Sequence, residues 1–210
     1  MPKIYTRRGD TGMTDIYRGT RASRKPKNDP LYWFLGKLDE LSVSLGACAL
    51  IECLPEVHRD YLRVLQQELI QLSAEVQSPA TPADTGADDP SGDGSVAAYT
   101  STVDHMESLI DSLTNVLPPL TRFLLTVTCE DDARCQRARV ITREAERHAI
   151  GYFQDHDPPL PIGPELLRFL NRLSDYLFTL GRFVSQNTQT GEIVSSKTLV
   201  TEFTERYFSV

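Results

Sequence analysis

The chain has 210 residues, 40% hydrophobic and 24% charged, a composition typical of soluble globular proteins and a length that suits one domain with a sizeable core. Its 22 Lys and Arg against 29 Asp and Glu leave a net charge of -7, which argues against a nucleic-acid binder working through a broad basic face. No apolar run approaches the roughly 20 residues of a membrane-spanning helix.

The N-terminus, MPKIYTRRGD, has neither a signal-peptide core nor an amphipathic presequence pattern. A soluble protein is expected, cytoplasmic, or mitochondrial if a presequence has been removed. The first thirty residues are polar and basic, with a turn-forming centre at Thr6-Arg7-Arg8-Gly9-Asp10-Thr11-Gly12-Met13-Thr14. Gly9 and Gly12 permit backbone geometries that bring N–H groups together, and Arg7, Arg8 and Lys27 supply positive charge. Such a segment can cradle an anion; a flexible basic arm would have the same composition.

Four helices follow from periodicity. Their apolar stripes are Phe34, Leu38, Leu41, Leu45 and Cys48; Leu62, Leu65, Leu69, Leu72 and Val76; Val103, Met106, Ile110, Leu113 and Leu117; and Leu166, Leu170, Leu173, Leu177 and Leu180. A fifth helix, about Asp131 to Phe153, has a thinner stripe of Ala138, Ile141, Ala145, Ala149 and Tyr152, so one of its faces is expected to do something other than fill a core. Pro55, the pair Pro118-Pro119 and the run DPPLPIGPE punctuate the helices. No convincing alternating strand is present apart from a short possibility near the C-terminus. The fold expected is all-α, a single domain over 1–210 built as a bundle of about five helices.

Between the second and third helices, Ser78 to Ser95 read SPATPADTGADDPSGDGS, without a single Leu, Ile, Val, Phe, Trp, Lys or Arg. A mobile acidic insertion, taken as residues 78–101, is expected, because the segment cannot bury enough apolar surface to offset its ordering entropy. The cysteines (Cys48, Cys53, Cys129 and Cys135) form no C-x-x-C pair and the histidines no H-x-x-x-H, so reduced thiols are expected and no protein metal site.

Three segments point to chemistry. Arg139, Arg143 and Arg147 recur at i, i+4 and i+8 and line one side of a helix, an arrangement suited to bidentate binding of phosphate oxygens. A surface helix laced by Arg–Glu pairs would show the same spacing. Asn171, Arg172, Ser174 and Asp175 sit at helix-interior positions where their propensity is mediocre, which suggests selection for contacts. Asp39 lies between Leu38 and Leu41; it is either partly buried and paired, with Arg139 a candidate, or exposed. No Glu-x-x-His motif appears, which disfavours a di-iron bundle.

In this order and spacing, KIYTRRGDTGMT, KNDP, GKLDELSVSLG, RFLL, ARVITREAER and FLNRLSDYLFTLGR resemble the ATP:cob(I)alamin adenosyltransferases of the PduO type, from residue 3 to about residue 183. The resemblance implies a five-helix bundle that assembles as a homotrimer with active sites between subunits. It implies transfer of the 5′-deoxyadenosyl group of ATP to the cobalt of cob(I)alamin, releasing tripolyphosphate, with Mg²⁺ accompanying ATP. Thr6, Arg7, Arg8, Gly9, Thr14, Asp15 and Lys27 would wrap the nucleotide. Arg143, Glu146, Arg147 and Asn171 would complete that site from a neighbouring subunit. Asp39 and Arg139 would form an inter-subunit salt bridge beside the corrinoid, and Phe123 would crowd the lower face of cobalt. A reductase and a cobalamin-dependent mutase would be partners.

The chain departs from that pattern at several places. Glu144 replaces the second of two consecutive arginines, which would weaken ATP binding if the site is desolvated. Thr11 removes a lysine from the glycine turn. Residues 126–132 read TVTCEDD where Pro-Gly-Gly and small residues are usual, and there is an insertion near Arg18 to Lys25. A divergent homologue, acting as a nucleotide or corrinoid carrier or as a structural trimer, is the alternative reading.

Overall fold

The computed structural model describes residues 3–18, 21–77, 94–154, 163–187, 193–194 and 206. Five helices dominate: α1 (Pro30–Cys48), α2 (Glu56–Gln77), α3 (Gly94–Thr114), α4 (Glu130–Gln154) and α5 (Gly163–Gln186). Two small antiparallel pairs join them. Strands β1 (Met13–Arg18) and β2 (Arg21–Pro26) form a hairpin, and β3 (Leu124–Leu125) pairs with β4 (Ile193–Val194).

The five expected helices are all present. The start of α1 shows why: Asp29 caps it by accepting the Leu31 N–H at 3.0 Å, and Pro30 occupies the first turn, where its missing N–H costs nothing. Leu38, Leu45, Leu62, Leu65, Leu170, Leu173 and Leu177 are fully buried. In α3 the stripe shifts by one position, so that Leu109 is buried and Ile110 only partly so. α4 packs against both α1 and α5, while α2 lies on α1 and α3 on α5. The alanines of α4 make this possible. Ala138, Ala145 and Ala149 are fully buried, and their small side chains let two neighbouring helices come close.

An aromatic cluster closes the bundle on the other side. The Tyr61 hydroxyl of α2 donates to the Thr102 carbonyl of α3 at 3.0 Å, and the Tyr61 ring meets His105. His58 of α2, buried, shares a 3.0 Å hydrogen bond between Nδ1 and the Tyr176 hydroxyl of α5.

The expected strand content requires adjustment. The β1–β2 hairpin was not legible, because its strands are polar and lack apolar alternation; its register runs from Met13↔Pro26 to Arg18↔Arg21. The short strand near the C-terminus exists as β4. Of the acidic insertion, residues 78–93 lie outside the described residues, and residues 94–101 belong to α3. Cys48 and Cys135 are buried, Cys53 is exposed and Cys129 half-buried; all four are free thiols. No described helix is long and apolar enough to cross a membrane.

Burial lowers the pKa of His58 from its ordinary 6.5, so the imidazole is held neutral in the fold. The unfolded chain then takes up the proton first as pH falls. The stability contribution of neutral His58 is complete above the unfolded value and is lost as pH drops through the folded one. Chemical denaturation at pH 7.5 and 5.5 should therefore show lower stability at 5.5, and His58→Gln should flatten that dependence.

Candidate functional site

The basic arm is built on two left-handed residues. Arg7 has φ 60° and Gly12 φ 76°, which reverse the chain twice within one short segment. The turns close through Asp10 N–H to the Arg7 carbonyl and Gly12 N–H to the Gly9 carbonyl, both 3.3 Å, and Lys27 N–H donates to the Gly12 carbonyl at 2.9 Å. The Lys27 ammonium lies over Gly9, 3.0 Å from where a Cβ would stand, so glycine leaves room for that cation. Lys27 thus brings positive charge to the turn that Thr11 leaves without a lysine. Asp15 organises the rest: Arg8 Nη2 approaches its Oδ1 at 3.2 Å and Arg24 Nε at 3.5 Å. Arg24 also donates to the Arg8 carbonyl. Thr6 Oγ1 accepts the Arg8 N–H at 3.4 Å, and the Arg7 guanidinium lies 5.6 Å from the Tyr5 ring centre. Thr14 is half-buried on β1.

The arginine row of α4 divides. Arg143 and Arg147 are exposed, and among the described residues neither enters an ion pair. Arg139 is half-buried; its Nε donates to Gln136 Oε1 at 2.8 Å and its guanidinium lies 6.0 Å from the Phe178 ring centre. Burial, and then the charge of Arg143, push its pKa down from the usual arginine range. Beside the two free arginines, Asn171 Nδ2 of α5 donates to Glu146 Oε1 of α4 at 3.5 Å. The other polar residues of that α5 segment serve the bundle. Arg172 bridges to Glu107 of α3 at 3.0 Å and to Asp175 at 2.9 Å, and Ser174 donates to the Asn171 carbonyl.

Glu144 turns away from this ridge. Its carboxylate takes the Lys37 ammonium of α1 at 2.8 Å, and Lys37 holds Glu40 at the same distance. Arg137 reaches Glu40 at 3.9 Å, and His148, stacked on Trp33, lies 4.0 Å from Glu144. The Lys37 hydrogen bond holds the Glu144 carboxyl below its ordinary value, and Glu144 in return raises the lysine. The anion introduced beside the ridge is therefore neutralised across the α1–α4 contact. Lys37 went unread in the sequence; a lysine three residues before Glu40 was the available signal.

Asp39 is exposed, not partly buried, and borders a groove of about 380 Å³ between α1 and α2, floored by Leu35, Leu38 and Leu69. Within one chain it forms no ion pair with Arg139, whose hydrogen bond goes to Gln136. Phe123 is 89% exposed. Strand β1 touches α2, whereas Arg143 and Arg147 project from α4. Among the described residues no group of three or more His, Cys, Asp or Glu is arranged to hold a metal ion.

The scaffold is that of the corrinoid-handling helical bundles. It matches a variant PduO-type ATP:corrinoid adenosyltransferase from Lactobacillus reuteri, complexed with cobalamin and ATP, at a TM-score of 0.74 and 27% identity, covering 93% of this chain and 97% of that one. The chain belongs to the cobalamin adenosyltransferase family, whose model matches residues 4–184. It is thus a transferase. The human corrinoid adenosyltransferase MMAB is 30% identical over 201 residues, 94% of this chain and 74% of that protein. PduO of Salmonella typhimurium is 33% identical over 193 residues, 91% of this chain and 52% of that protein, so the chain spans about half the length of that relative.

If Lys37 is what neutralises Glu144, Lys37→Ala should raise the KM for ATP about 2- to 5-fold at low salt, the range of an exposed ion pair. The effect should shrink at 0.5 M NaCl, and Lys37→Ala/Glu144→Gln should restore the KM; steady-state kinetics at two salt concentrations would show both.

Proposed function

We propose that this chain transfers the 5′-deoxyadenosyl group of ATP to the cobalt of cob(I)alamin, giving adenosylcobalamin and tripolyphosphate. The observation that carries the reading is the pair of exposed, unpaired arginines, Arg143 and Arg147, beside the Asn171–Glu146 hydrogen bond. They stand in a chain whose solved relative is complexed with both ligands.

The chemistry asks little acid–base work of the protein. The cobalt(I) lone pair attacks the ribose C5′, the Co–C bond forms, and the C5′–O bond breaks with its electron pair leaving on tripolyphosphate. The residues must align C5′ with cobalt, exclude water and stabilise the leaving polyanion. Thr6, Arg7, Arg8, Gly9, Thr14, Asp15 and Lys27 wrap the nucleotide, with Lys27 over Gly9 placed for a phosphate. Arg143, Glu146, Arg147 and Asn171 close the same site from a neighbouring subunit. Magnesium would accompany ATP and help to neutralise the leaving phosphates.

The homotrimer belongs to this proposal. Its support is that Asp39 and Arg139 each lack the other within one chain. Exposed Trp33, Val43, Ile70 and Val140 supply apolar surface for a partner subunit. Asp39 pairs there with Arg139 of the neighbour, beside the corrinoid. Phe123, projecting into solvent, takes the lower face of the corrinoid and excludes the axial ligand. That makes cobalt(II) easier to reduce, with the electron supplied by a reductase and the product passed to a cobalamin-dependent mutase. The protein works in the cytoplasm, or in mitochondria.

Chemically reduced cobalamin and MgATP should lose the Co(I) absorbance on addition of the protein, and calorimetry should detect ATP binding. Binding without turnover would identify a carrier, and no binding a structural homologue. Arg143→Ala should lower kcat/KM for ATP at least tenfold, with a raised KM and a lower kcat; unchanged kinetics would remove Arg143 from the phosphate site. Phe123→Ala should slow turnover from cob(II)alamin under a weak reductant more than turnover from preformed cob(I)alamin.

A further inference from the structure

The segment that carries Phe123 is fixed at both ends by buried polar side chains. Upstream, Arg182 of α5 donates to the Pro118 carbonyl at 2.6 Å. Downstream, the Asp132 carboxylate accepts the backbone N–H groups of Val127 and Thr128 at 2.8 and 2.9 Å, both on Oδ2. Its Oδ1 accepts from Gln136 Nε2 at 3.0 Å. Thr128 Oγ1 then donates to Ser185 of α5 at 2.8 Å. Asp132 and Ser185 are each 2% exposed and Arg182 6%.

Two features mark Asp132 as a built clamp rather than a chance contact. Val127, a β-branched residue, holds φ 72°, a left-handed conformation that it does not adopt unaided. The paired N–H bonds to one carboxylate oxygen hold it there. On the other side, a Cβ at Gly181 of α5 would stand 2.5 Å from Gln136 Nε2 and 2.8 Å from Asp132 Oδ1, so the missing side chain is what admits the Asp132–Gln136 pair. A buried carboxylate is costly unless its oxygens are satisfied; here three N–H donors do so in the first turn of α4, where the helix end also favours negative charge.

We propose that Asp132 is a positioning residue for the cobalt reduction step. It touches neither substrate; by fixing Val127 and Thr128 it sets where Phe123 projects, and so how well Phe123 keeps the axial ligand off cobalt. The inference rests on the role of Phe123 proposed above. The acidic residue that replaces a small one in this loop is thus an internal anchor, not a charge presented to the corrinoid.

The test compares Asp132→Ala with Phe123→Ala in two assays: cob(II)alamin with dihydroflavin as reductant, and preformed cob(I)alamin, each with saturating MgATP. Asp132→Ala should lose at least tenfold more kcat in the first than in the second, with the loss in kcat and not in the KM for ATP. Electron paramagnetic resonance of bound cob(II)alamin should show the nitrogen splitting of axially ligated cobalt returning. Asp132→Asn, which keeps one acceptor oxygen, should fall between wild type and Asp132→Ala. Val127→Gly added to Asp132→Ala should recover part of the loss, because glycine accepts φ 72° unaided. If Asp132→Ala does not fold, Gly181→Ala disturbs the same clamp from α5 and should give the same selective pattern. Selective loss in Phe123→Ala with equal losses in the Asp132 and Gly181 variants overturns the clamp alone. Equal losses in Phe123→Ala overturn the Phe123 reading, and the clamp with it.

Discussion

The constraint on which the rest depends is that α4 has neighbours on two sides. Helices α1 and α5 both pack along it, and the buried alanines allow that approach. A helix so enclosed has only a narrow strip of free surface, and Arg143 and Arg147 occupy that strip. The positions flanking it go to contacts: Glu144 reaches Lys37 on one side, and Glu146 meets Asn171 on the other. The same crowding gives Asp132 its socket, because α5 presents Gly181 where a larger residue would collide. Packing and chemistry are divided residue by residue around one helix.

The division also explains how the chain tolerates an acidic residue where its relatives by motif carry a base. A carboxylate between two arginines would be expected to compete with an incoming polyanion. In the structure it has been drawn to the other flank of the helix, into a network with Lys37, Glu40, Arg137 and His148. The charge change is absorbed chiefly by a contact between helices, and neither Arg143 nor Arg147 is drawn into an ion pair among the described residues.

Much of the fold could be read from the sequence, since five apolar stripes of helical period give five helices. The thin stripe of α4 was legible as an oddity, but its meaning was not: small residues looked like a weak core face and are in fact a doubly used one. The hairpin escaped because β1 and β2 are polar, so nothing in their alternation separates them from a loop. In the candidate site, the motif residues of the arm and ridge could be named. What could not be read was which of them are already engaged. Arg139 has left the row for Gln136 and Phe178, and Asp39 is exposed, because both outcomes depend on how helices distant in sequence meet. The reach of Lys37 to Glu144 and the clamp at Asp132 were hidden for the same reason.

Asp15 has a consequence for how the arm meets any anion. Two guanidinium groups rest on its carboxylate. On the proposed reading of the arm, an arriving phosphate chain exchanges places with a tethered acid instead of stripping mobile ions from bare cations. The cost of ordering the segment is met while the chain folds, and the sensitivity of association to ionic strength is smaller than the number of basic residues alone would suggest.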